Sequence, residues 1–117
     1  MIVGLDEDII SALIGFLEED RETFVPARLS ILIYLFFTQR AQFTKLQKTL
    51  KFTPGNLSSH LRKLESNELI TIFKHFVELK PTTLIEITPK GTQKILAHVK
   101  RLRELVTAVI DQPPASV

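Results

Sequence analysis

Between residues 69 and 87 the apolar pattern of this chain changes period, and that change limits the fold more than any other feature. Before and after it, hydrophobic residues recur every three or four positions. Within it, Leu69–Leu79 is dense in Ile, Phe, Thr and Val, and Leu84–Ile87 follows after Lys80-Pro-Thr-Thr83. β-Branched and aromatic runs separated by a turn signal read as the two strands of a hairpin. Pro81 is expected at the tip, where no ladder donor is needed. The dipeptide Thr-Pro precedes a helical segment on each side, at Thr53-Pro54 and Thr88-Pro89. In both, a threonine hydroxyl can cap the helix and a proline presets φ at its first position.

The other helices follow from spacing. Ile9, Ile10, Leu13, Ile14, Phe16 and Leu17 recur at helical intervals and predict a first helix from Asp6, its N-cap, to Glu19. Pro26 opens a second, whose run Ala27–Thr38 is apolar nearly all round and is expected to be the central core helix. Thr44-Lys-Leu-Gln47 fits a capping box and predicts a short third helix, Thr44–Leu50. The fourth runs from Pro54 to Asn67 with Leu57, Leu61 and Leu64 inside. The last runs from Pro89 to Ile110; Ile95, Val99, Leu102, Val106 and Val109 alternate steps of four and three, the seam of a paired helix. Gln112–Val117 reads as a frayed tail. The fold class is mainly α with a small β-hairpin: a winged helix-turn-helix over residues 26–88, with additional helices in 1–25 and 89–117.

Several function classes fall away. The chain has no cysteine, which removes disulfide scaffolds, thiolate zinc sites and thiol sensing. Its longest apolar stretches, Ile9–Leu17 and Leu29–Phe37, fall short of the ~20 residues a bilayer requires. The N-terminus is acidic where a signal peptide is basic, so a cytoplasmic protein with no membrane partner is expected. Four glycines and no P-loop leave no phosphate cradle. His60, His75 and His98 fall in different elements without a nucleophile or acid partner, and each reads as a surface or DNA-facing residue. A metal set from His98 with Glu104 or Asp111 matches no ligand spacing. The expectation is no enzyme, no catalytic residue, no metal and no cofactor.

Charge is uneven. Residues 1–22 carry seven acids against Arg21 alone, whereas residues 23–103 carry fourteen Lys and Arg against four acids. A basic body points to a polyanion, the alternative being ordinary solvated surface charge. No carboxylate occurs from Gln42 through Leu64, a window holding Lys45, Lys48, Lys51, Arg62 and Lys63. In the fourth helix Asn56, Ser59, His60, Arg62 and Lys63 lie off the leucine face. Asn can bridge an adenine edge, Arg can fork onto guanine or phosphate, and Ser or His can meet either, whereas an acid would repel phosphate. A merely hydrated helix face is the alternative. Lys74, Lys80, Thr82 and Thr83 give the hairpin a means of touching the backbone or minor groove, unless it only covers the core. Ile9, Leu13, Phe16 and Leu17 can meet Leu102, Val106, Val109 and Ile110 within one chain or across a two-fold axis. A homodimer is favoured, because a ~20-residue helix is ~30 Å long and overhangs so small a core. A dimer would set two reading helices roughly 34–36 Å apart.

Arg28-Leu-Ser-Ile-Leu32, Phe43-Thr-Lys-Leu46, Thr53-Pro-Gly-Asn-Leu-Ser-Ser-His-Leu-Arg-Lys-Leu-Glu65, Leu69-Ile70, Lys74 and Thr88-Pro-Lys-Gly91 resemble small prokaryotic winged-helix transcriptional regulators related to the MarR and ArsR groups. The resemblance spans Pro26 to Leu102. It implies a helix in the major groove of double-stranded DNA, with Thr53, Asn56, Ser58, Ser59, His60, Arg62 and Lys63 as contacts. It also implies a wing touching the flanking backbone through Lys74, Lys80, Thr82 and Thr83, terminal helices that build a homodimer, and often a small-molecule effector. The family usually has Gly before the Leu-Ile that opens the wing; here that residue is Glu68, and Asn67 is expected to take the left-handed cap. The competing reading is a winged-helix protein-interaction module that does not bind DNA.

Overall fold

The computed structural model describes residues 6–19 and 21–112. The elements are α1 (Glu7–Glu18), α2 (Pro26–Thr38), β1 (Arg40–Gln42), α3 (Phe43–Leu50), α4 (Pro54–Ser66), β2 (Ile70–Val77), β3 (Lys80–Ile87) and α5 (Pro89–Asp111). The mainly helical architecture with a small sheet is therefore as read, and the frayed tail falls on residues outside those described, apart from Gln112. The chain divides into two compact units: residues 21–95, and α1 with the part of α5 from Leu96 onward.

In the 21–95 unit the three leucines of α4 do what their spacing predicts. Leu57, Leu61 and Leu64 are at most 1% exposed and share the core of this unit with buried Ile31, Leu32 and Leu35 of α2, Leu46 of α3, and Leu69, Ile85 and Ile95. Each such side chain contributes ~1.5–3 kcal/mol relative to an exposed one. Asp6, Thr53 and Thr88 all cap as expected, accepting from the amides of Ile9, Asn56 and Gly91.

Several expectations are corrected. Thr44 and Gln47 form no capping box, because α3 starts one residue earlier, directly off β1, and its N-cap is Gln42 with no side-chain bond. β1 has no periodic signal; it exists because Arg40, Ala41 and Gln42 pair with Glu86, Ile85 and Leu84. The sheet is antiparallel in the order β1-β3-β2. α2 is not buried all round: Ile33 is 37% and Phe37 79% exposed.

The hairpin turn is Glu78-Leu79, not Lys80–Thr83, since Val77 pairs with Lys80 and β3 already includes Lys80–Thr83. Both turn residues have positive φ, 50° and 67°, the hand of a two-residue hairpin loop. Pro81 sits opposite Phe76, one pair in from the turn. After such a turn the closing pair exchanges hydrogen bonds and the next pair does not, so the proline nitrogen faces away from β2. β1 pairs only with Leu84–Glu86, so among the described residues no strand lies on the other side of Pro81, and its missing donor breaks no ladder bond there.

Asn67 does not take the left-handed cap; its φ is −93°, and Glu68 takes φ 62° instead. The amide of Glu68 donates to Glu65 O (2.9 Å) and that of Leu69 to Leu64 O (3.0 Å). That paired bonding is a Schellman ending, and burial of both Leu64 and Leu69 sets its register. The wing base is tied to α5 by Thr88, whose hydroxyl donates to Glu68 O (2.8 Å) while its amide donates to Leu69 O (3.0 Å). Gly91 is required there, because a Cβ would lie 2.2 Å from Leu69 O.

In the other unit α1 runs antiparallel to α5. Ile9 lines the same cleft as Arg103 and Thr107, while Glu19, at the far end, pairs with His98 and Arg101. Ala12 is buried, and a Cβ on Gly15 would meet the Arg101 side chain, its Nε at 2.8 Å.

Candidate nucleic-acid interface

A leucine stripe that is fully inside leaves the opposite side of α4 in solvent. Asn56, Ser59 and Arg62 are exposed at helical spacing, with Pro54 and Gly55 exposed at the N-terminus. Thr53 is exposed but its hydroxyl accepts the Asn56 amide at 3.2 Å. Ser58 lies half-buried on the flank. No acid occurs from Thr23 through Leu64. A Cβ on Gly55 would meet nothing within 4 Å, so the fold itself has no need of glycine there. Lys45 is exposed on α3, and Lys51, with φ 61°, caps that helix in the turn leading to α4.

Two expected contacts are engaged within the protein. His60 is half-buried against Phe52, and its Nδ1 accepts from Arg28 Nε at 3.2 Å. Burial and then the Arg28 guanidinium hold this imidazole below the usual histidine range. Lys63 pairs with Glu22 at 2.8 Å, and Arg28 also donates to the Glu22 carbonyl. Sequence reasoning missed Glu22 and Arg28, which steady the flank of α4 from well before it; Glu22 is hidden among the charges of residues 18–22, and only Arg28, a lone charge in an apolar run, could have drawn notice.

The wing candidates divide between two faces. Residues alternate across a strand, and Ile70, Ile72, Ile85 and Ile87 mark the core side. Lys74 and its partner Thr83 continue that side outward, whereas Lys80 and Thr82 lie on the reverse. Both lysines are exposed and both threonines half-buried.

His98 is not a surface residue. It is 4% exposed, stacked on Phe16, with Nδ1 beside Glu19 Oε2. Burial lowers its pKa, and a neutral ring protonated on Nδ1 donates to that carboxylate. Of the terminal-helix candidates, Ile9 and Leu102 are half-buried, while Leu13, Phe16, Leu17, Val106, Val109 and Ile110 are exposed. No helix among the described residues is long and apolar enough to cross a membrane.

Comparison with known proteins bears on this geometry. The winged helix DNA-binding domain family matches residues 27–106. An uncharacterized protein of Methanocaldococcus jannaschii is 31% identical over 78 residues, covering 67% of this chain and 85% of the relative. The structure of a transcriptional regulator homologue from Pyrococcus horikoshii OT3 superposes with TM-score 0.79 at 32% identity, covering 87% of this chain and 99% of that one. The S. aureus MepR–DNA complex shares the fold, with TM-score 0.65 and 20% identity over 85% of this chain and 79% of that one. The family match over most of the chain, on a helix-turn-helix with a β-wing, makes this protein a member of the winged helix DNA-binding domain family, with the fold of transcriptional regulators.

Proposed function

We propose that the chain is a sequence-specific, double-stranded DNA-binding transcriptional regulator acting as a homodimer, with α4 in the major groove and the wing on the flanking backbone. The observation that carries this reading is the solvent face of α4. Asn56, Ser59 and Arg62 are exposed together on a helix whose other face is locked into the core, in a stretch free of acids. A rigid helix presenting amide, hydroxyl and guanidinium groups can test base edges for complementarity. Lys45, Lys74 and Lys80 add cations that displace condensed counterions and hold the register. Thr82 and Thr83 supply hydroxyls to the wing, and Ser58 flanks the helix contacts. Lys63 and His60 serve this reading differently: Lys63 exchanges Glu22 for phosphate, and His60 fixes the helix flank through Arg28. The resemblance adds a small-molecule effector of unnamed chemistry.

The test begins with selection of bound duplexes from a random pool, followed by titration of Arg62→Ala and Lys63→Ala against the selected site. Arg62→Ala is expected to cost ~1–3 kcal/mol and to relax one base position; Lys63→Ala should weaken all sequences alike and lower the salt slope by about one. Recovery of no preferred sequence, or unchanged affinity in both folded variants, sinks the reading.

A further inference from the structure

The tip of the wing combines two features that a hairpin serving only to cover the core would not keep. Glu78 and Leu79 both have positive φ, a turn suited to Asn-Gly or Asp-Gly because a Cβ crowds the neighbouring carbonyl there. Leu79 is also 93% exposed, so packing within the chain returns nothing for the strain. Phe76 is 72% and Val77 40% exposed, so three bare apolar side chains gather at the end of the hairpin beside the charged Glu78 and Lys80. An outlying backbone and a cluster of bare hydrophobic side chains together mark a surface that meets something outside the chain.

The surroundings select the occupant. Lys80 follows Leu79 directly and Lys74 lies three pairs from the turn on the opposite face, so the apolar end is flanked by one ammonium on each side of the ribbon. Two cations straddling an apolar wedge match a duplex groove bordered by two phosphate strands. Glu78 repels phosphate, which makes charge a poor anchor for the tip itself and leaves shape and apolar contact to act there.

On the DNA-binding reading above, we infer that Leu79 enters the minor groove beside the α4 contact and wedges between base pairs, while Lys74 and Lys80 hold the two bordering strands. Unstacking is easiest at pyrimidine–purine steps, so the wedge makes this chain select TA or CA/TG steps at the flanks of its site without hydrogen bonding to them.

Leu79→Gly separates this role from a structural one. Glycine adopts the turn without strain, so the variant is expected to melt higher than the parent. Its affinity for the selected duplex should nonetheless fall roughly ten-fold, the loss of one buried leucine. A 2-aminopurine at the flanking step should brighten when the parent binds and stay dark with Leu79→Gly, while Leu79→Met restores the signal. Repeating the pool selection with Leu79→Gly should abolish the flanking preference. Unchanged affinity and unchanged fluorescence in Leu79→Gly overturn the wedge, as does a change in oligomeric state alone, which would assign the tip to a protein contact. Arg62→Ala is measured in parallel: if it weakens binding and Leu79→Gly does not, only the wedge fails, and if neither matters the DNA reading fails with it.

Discussion

Glu68 shows how one residue can carry both a sequence signal and a cost. It stands where the sequence resemblance leads one to expect glycine, and the structure gives it the left-handed conformation that glycine accepts freely. The sequence marked the position but shifted the strain to Asn67. Asn67 instead turns its amide onto Lys63 O at 3.2 Å, because burying Leu69 against Leu64 fixes the Schellman register one residue later. A non-glycine residue at such a φ costs ~1–2 kcal/mol, and glycine returns part of that through the freedom of the unfolded chain. The ion pair with Lys90, 3.5 Å between exposed side chains, adds at most ~1 kcal/mol. Glu68→Gly is therefore expected to stabilise the protein by ~0.5–1 kcal/mol, read as a higher urea midpoint at unchanged slope. A lower midpoint would show that the carboxylate does more than fill the cap. By the same comparison, Gly91 must not be changed, since the Leu69 carbonyl occupies the space of its Cβ.

At the scale of elements, what was legible was whatever repeats locally. The leucines of α4, the caps at Asp6, Thr53 and Thr88, and the change of period that gives the hairpin all act within a few residues. β1 was not legible, because three residues paired with a strand more than forty positions later leave no local pattern. Nor was the tether of α4 to α2, in which Arg28 and His60 meet across 32 positions. That tether has a pH signature. His60 Nδ1 accepts a hydrogen bond, so the folded chain favours the neutral ring, in agreement with its lowered pKa. As pH falls below about 6.5 the unfolded chain takes up the proton first, and the folded state loses stability until its own lower pKa is passed. The stabilising effect is thus complete above that range and lost below it. His60→Gln cannot titrate, and its unfolding midpoint should fall less than the parent's between pH 7.5 and pH 5. Parallel curves would remove His60 from the account of how α4 is held.

At the scale of the molecule, one chain leaves too much apolar surface uncovered in the unit formed by α1 and the end of α5. Ile10, Leu13, Ile14 and Leu17 form an exposed stripe at helical spacing on α1, because the small residues Ala12 and Gly15 face α5 instead. Along α5 the seam residue Ile95 is 2% exposed, Val106 46% and Val109 74%, so the periodic face is covered at its start and bare at its end. A heptad-like face that outlasts its own core is what a second copy of the chain can complete, with each stripe meeting the other across a two-fold axis. Replacing Leu17, Val109 and Ile110 together by Gln tests this without disturbing the protomer, since all three are more than 60% exposed. Light scattering at micromolar concentration is expected to give a dimer for the parent and a monomer for the triple variant. The variant should bind a single half-site as the parent does and lose its advantage on an inverted repeat, because the second reading helix no longer arrives with the first. A parent that is monomeric at these concentrations, or a selected motif without two-fold symmetry, rules the homodimer out while leaving the reading by α4 in place.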